Sequence, residues 1–189
     1  MSPVNSKVLG RLTFHVVYDN SILYALEYAA QNGFAGIQIA MEAPHLSYEN
    51  YGPGDRELIL KKKTELNLSI SLHGPEEVTS LLQPNPRLRD GIMGYYLDLF
   101  NFAHDIGAAM TTVHIGQMPV FRTDTKPVQF LPPGDIALYR ESFEDNLAHL
   151  LKLAYGKTYV CIENYRMDNV VVPIIDRYLR KNNLGLCWD

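Results

Sequence analysis

A chain of 189 residues that is 47% apolar, 20% charged and 11% aromatic has the make-up of one globular domain over 1–189, and excludes disorder and a collagen-like repeat. A net charge of −4 and a pI near 5.8 give no general attraction for phosphate backbones, which argues against nucleic acid as a partner. Cys161 and Cys187 are too few for a disulfide framework and fit a reducing compartment, and no run approaches the roughly 18 to 20 apolar residues of a membrane span. With no leader-like core in MSPVNSKVLGRL either, the expectation is a cytoplasmic chain with no membrane partner.

Short strand-like runs alternate with longer helical stretches. The strands are expected at RLTFHVV (11–17), AGIQIAM (35–41), NLSISLH (67–73), AMTTVHI (109–115), TYVCIE (158–163) and LGLCW (184–188), the first five each leading into a helix. The third helix carries Ile92, Tyr95, Leu99, Phe102 and Ile106 on one stripe and stops at Gly107. The fourth carries Ile136, Tyr139, Phe143, Leu147, Leu150 and Ala154, with Asp135 as the expected cap and Gly156 as the stop. The fifth is expected to start near Pro173. Two long loops, 42–54 and 117–134, follow strands.

Successive side chains on a strand point to opposite faces, so alternation sorts each run into two sides. Ile37, Ile39 and Met41 oppose Gln38, Ala40 and Glu42, while Leu68, Ile70 and Leu72 oppose Ser69, Ser71 and His73. Val113 and Ile115 likewise oppose Thr112 and His114, Val160 and Ile162 oppose Cys161 and Glu163, and Leu186 and Trp188 oppose Cys187 and Asp189. One side is expected to meet helices and the other to end in ionisable groups. That pattern predicts an α/β fold of TIM-barrel type, with its site at the C-terminal strand ends. The competing doubly wound sheet lacks its G-x-G-x-x-G fingerprint here, and no P-loop is present.

His73, His114, Glu163 and Asp189 stand at four strand ends, so neighbouring strands would gather two imidazoles and two carboxylates on one rim. Those donors suit a divalent zinc, manganese or iron ion. A lone strand-end histidine is more often a hydrogen-bonded structural residue, and the metal reading rests on the four together.

LHGP (72–75), TVHIG (112–116), CIEN (161–164) and LCWD (186–189), in this order and at strand ends, resemble the xylose isomerase-like TIM barrels. That superfamily includes the sugar phosphate isomerases and epimerases and endonuclease IV, of AP endonuclease family 2. In the endonuclease IV branch the resemblance makes metal ligands of His73, His114, Glu163 and Asp189. In the epimerase branch it gives Glu163 and Asp189 a single divalent ion, with Glu163 also moving a proton. Two departures accompany it. Family barrels have eight strands, so this chain is expected to give six of the eight, an incomplete barrel lacking the last two βα units and their ligands. Gln38 also stands where the family often has glutamate.

A six-strand fragment would leave two sheet edges open to self-association or a partner chain, or would reflect a truncation. Glu42 and His45 after the second strand are candidate substrate contacts, set against a solvated loop. Arg166 is a candidate for binding phosphate or carboxylate, and His15 for contacting substrate in the endonuclease manner. Cys161 and Cys187 read as small core residues, and His104 and His149 as surface or packing residues. The leading expectation is a metal-dependent isomerase or epimerase acting on a small sugar or sugar phosphate, with Glu163 catalytic. An abasic-site endonuclease and a non-catalytic truncated barrel are the alternatives.

Overall fold

The computed structural model describes residues 11–76, 78–119, 121–122, 127–128, 132–181 and 183–188. The strands β1 (Thr13–Val16), β2 (Gly36–Ala40), β3 (Ser69–His73), β4 (Met110–Val113), β7 (Tyr159–Glu163) and β8 (Gly185–Cys187) form one parallel sheet in that spatial order. Helices α1 (Ile22–Gln31), α2 (Pro53–Glu65), α3 (Pro86–Asp105), α4 (Pro133–Ala154) and α5 (Val172–Leu179) connect them. Among the described residues the result is a TIM-barrel-like sheet of six strands that does not close, with β1 and β8 at its edges. All six strands lie inside the runs read from the alternation, each shorter by one or more residues. The long loop before α4, expected to be without strands, holds a two-stranded antiparallel pair, β5 (Phe121–Arg122) and β6 (Pro127–Val128).

Local chemistry explains most helix ends. Ser21 Oγ accepts from the Tyr24 N–H at 3.2 Å to start α1, whose Ile22, Ala25, Leu26 and Ala29 are buried at helical spacing. Asn85 Oδ1 accepts from the N–H groups of Arg87 and Leu88 at the start of α3, and Gly107 closes that helix at φ 67°. Pro173 sits in the first turn of α5 and Gly156 follows α4 at φ 73°, both as expected. Asp135 does not cap α4. The helix begins two residues earlier at Pro133, and Asp135 lies in its first turn, where its charge suits the free N–H groups without bonding them. The stripe of α4 enters the core gradually: Ile136 is exposed, Tyr139 is half-buried against the core, and full burial begins at Phe143.

The core lies between the sheet and the helices. Ile37, Ile39, Ile70, Leu72, Val113, Ile115, Val160 and Ile162 meet Leu26, Ile59, Leu99, Phe102, Phe143, Leu147, Leu150, Ile174 and Ile175, all buried. The sixth strand departs from this rule, because Leu186 and Trp188 on the corresponding side are 42% and 81% exposed. No helix among the described residues is long and apolar enough to cross a membrane. Cys161 is buried, Cys187 is half-buried, and both are free thiols.

The concave side is different in kind. Register aligns His15 with Gln38 and Ser71, and aligns Ala40 with His73, Thr112 and Cys161, so these side chains share one face. They are small or polar, which leaves room above them for ionisable groups at the strand ends.

Candidate metal centre

His73 closes β3, His114 follows β4 by one residue, and Glu163 closes β7, on three adjacent strands. His114 Nε2 lies 2.9 Å and His73 Nε2 3.3 Å from the same atom, Oε2 of Glu163. The two rings meet edge to face with centroids 4.8 Å apart, and the three donor atoms all fall within 4.8 Å of one another. His114 and Glu163 are buried, and the His73 side chain is 18% exposed. The donor set fits a divalent cation. Ligand bonds of about 2.1 Å give edges between neighbouring ligands of roughly 3.0 to 3.4 Å, close to the two histidine–carboxylate separations. The fourth residue expected on this rim, Asp189, lies outside the described residues.

The loops that carry the donors are tied down. Gly74 N–H donates to Thr112 O at 2.9 Å and Leu81 N–H to Ile115 O at 3.0 Å, fastening the loop after β3 to the end of β4. The Asn146 amide reaches from α4 to the carbonyls of Leu81 and Gln83, at 2.8 and 3.1 Å. Thr79 bonds Pro75 O and accepts from the Tyr96 hydroxyl. Gly116 sits at φ 85°, and a Cβ there would lie 2.1 Å from Ser80 Oγ, so only glycine lets the loop after β4 pass beneath Ser80.

The remaining candidates have separate surroundings. His15 is exposed on edge strand β1, its ring 6.0 Å from that of His73. His45 Nε2 lies 3.1 Å from Asp19 O and so joins the loops after β1 and β2. Glu42 lines a cavity of 620 Å³ together with Glu49, Glu76, Ser47 and Tyr95. Burial, and then Tyr48, Tyr96, Glu49 and Glu42, push the Tyr95 hydroxyl up from its ordinary value, so it stays neutral. Arg166, at φ 60°, stacks over Tyr165 and places Nη2 3.2 Å from Glu76 Oε1, close enough for an ion pair but not aligned as a hydrogen bond. A larger cavity of 770 Å³ lies by Thr158, Tyr159 and Tyr178 at the opposite end of β7; neither cavity is lined by His73, His114 or Glu163, and the 620 Å³ one reaches towards them through Pro75 and Glu76, in the loop after His73.

Three polar residues of this region were missed in the sequence. Glu76 stands three positions after His73, near enough in the chain for the rim to be foreseen. Thr112 falls on the inward side of the alternation. Asn146 sits among the apolar positions of α4, where a polar residue signals a buried hydrogen bond.

Solved structures resemble this fold over nearly the whole chain. A D-psicose 3-epimerase with D-tagatose from Clostridium cellulolyticum matches at 15% identity and a TM-score of 0.64, covering 94% of this chain and 63% of that one. Endonuclease IV from Thermus thermophilus matches at 18% and 0.66, covering 95% and 62%. Another Thermus thermophilus protein, soaked with zinc chloride, matches at 20% and 0.65, covering 95% and 65%. The chain therefore spans less than two thirds of the length of these neighbours. No curated protein sequence matches it significantly. The sequence profile of the xylose isomerase-like TIM barrels covers residues 26–189, and with the sheet and strand-end residues above it establishes that the chain belongs to that family.

Proposed function

We propose that this chain is a divalent-metal sugar isomerase or epimerase in which His73, His114 and Glu163 hold the ion. The carrying observation is the convergence of two imidazoles on one carboxylate oxygen at adjacent strand ends. Asp189 is the further ligand we assign. Manganese, zinc and iron(II) all suit this donor chemistry.

A bound ion would supply Lewis-acid polarisation of substrate oxygens. The residues supply the rest. Both histidine contacts of Glu163 use Oε2, so Oε1 is the atom assigned to carry a proton to and from a sugar carbon. Glu42 and the neutral Tyr95 hydroxyl, both on the 620 Å³ cavity, are assigned to sugar hydroxyls. Arg166 already faces Glu76, and Glu42 and Glu49 add negative charge beside it, which favours an unphosphorylated sugar over a phosphate ester. His45 and His15 are assigned to the rim around the substrate. The two free thiols suit a reducing, cytoplasmic setting.

The test is conversion of free ketohexoses by manganese-loaded protein, with metal content determined on the same samples. Glu163→Gln is expected to lower turnover at least about 10²-fold. Full activity in that variant would sink the assignment. A second reading, an abasic-site endonuclease, is favoured by one observation, that both histidines join the cluster. Cleavage of abasic duplex DNA with added zinc, without sugar conversion, would put it first.

A further inference from the structure

We infer that Thr112 is the positioning residue of this centre: its hydroxyl holds the Nδ1 side of the His73 ring through one water, and so decides which nitrogen faces the cation. The inference rests on reading His73 as a ligand.

Among the described residues five buried side-chain atoms lack a hydrogen-bond partner, and three of them are Thr112 Oγ1, His73 Nδ1 and His114 Nδ1. They fall together because register pairs His73 with Thr112, so both side chains leave the same face of adjacent strands, and His114 follows two residues along. An unsatisfied buried polar atom costs about 1–3 kcal/mol, and one bridge between Thr112 and His73 relieves two such atoms. Other groups at this level offer less. Ser71 Oγ already reaches towards Ile37 O at 3.5 Å, and Cys161, on the other side of Thr112, has only a weakly bonding thiol. Thr112 is also β-branched, so its χ1 is stiff and its hydroxyl direction well defined.

A hydroxyl suits the task because it both donates and accepts. Without an ion, Nε2 facing the Glu163 carboxylate carries the proton and Nδ1 the lone pair, which has no direct bond to Thr112 Oγ1 and would accept from it through the bridging water. When Nε2 instead gives its lone pair to a cation, the ring remains neutral only with its proton on Nδ1, which would then donate through the same water to Thr112 Oγ1. One proton leaves Nε2 and one arrives at Nδ1 by exchange with water. A backbone carbonyl could serve only the second state.

The experiment compares wild type, Thr112→Val and Thr112→Ser by histidine ¹⁵N spectra of metal-free protein at fixed pH and by direct manganese and zinc titration. Wild type is expected to show a His73 Nδ1 resonance shifted by a hydrogen bond. Thr112→Val should move that resonance towards the value of an unbonded lone pair, by more than it moves that of His114, and weaken metal binding about 10- to 100-fold, while Thr112→Ser restores both. An unchanged His73 Nδ1 resonance in Thr112→Val, or equal loss in Thr112→Ser, overturns the inference. If wild type binds neither metal, the reading of the centre as a metal site falls by itself, and the Nδ1 resonance still decides whether Thr112 holds the ring. Thr112→Ala carries the same comparison if Thr112→Val does not fold.

Discussion

His73, His114 and Glu163 were legible because strand parity alone fixes which side of the sheet a residue faces, and their positions at strand ends fixed the height. The Glu76–Arg166 pair was not, since an ion pair between residues 90 positions apart leaves no spacing in the chain. The glycine of TVHIG was legible only as part of a resemblance, and the structure supplies its physical cause. With φ at 85° and the would-be Cβ 2.7 Å from Ser80 Cα, Gly116→Ala must move backbone, not merely rotate a side chain. A loss of about 1–3 kcal/mol is expected by urea denaturation, together with weaker metal binding as His114 shifts. Unchanged values for both would show that the loop yields freely.

Among the elements, the helices announced themselves by periodicity, and what escaped was how they support the loops. α4 buries Phe143, Leu147 and Leu150 as its stripe predicts, and the Asn146 beside them is almost wholly inaccessible because its amide serves two carbonyls of the loop after β3. Asn146→Leu fills the space but leaves those carbonyls unpaired. It is expected to cost about 1–3 kcal/mol and to loosen the segment bearing Glu76, seen as faster proteolysis between β3 and α3. A stability equal to wild type would mean that other donors take over the carbonyls. The β5–β6 pair was missed because strands of two residues, one of them containing Pro127, carry no readable alternation. α2 buries only Ile59; it reaches its neighbours through Lys62 to Glu27 and Arg56 to Asp105, surface pairs worth little individually.

For the molecule as a whole, repeated βα units made the parallel order predictable, since successive strands joined by helices tend to lie side by side. The exposure of Leu186 and Trp188 was not predictable from parity, which says which face a residue takes but not whether anything covers that face. The burial that builds the core also sets its alkaline limit. Tyr96 is fully buried and its hydroxyl is pushed up to about 12 by burial. Its unfolded counterpart loses its proton near pH 10, so the stabilising difference is complete below that pH and disappears as pH rises through the folded value. The urea midpoint should therefore fall between about pH 10 and 12, and less steeply in Tyr96→Phe. An identical slope in the variant would assign the alkaline loss to other groups.

The three donors ride on β3, β4 and β7, the third, fourth and fifth strands of six, with β4 hydrogen-bonded to both of the others. Fraying begins where backbone groups have a partner on one side only, which among the described residues means β1 and β8. The centre is thus housed in the slowest-opening part of the sheet. Local opening at either edge, or the docking of another strand there, can come and go without altering the spacing of His73, His114 and Glu163.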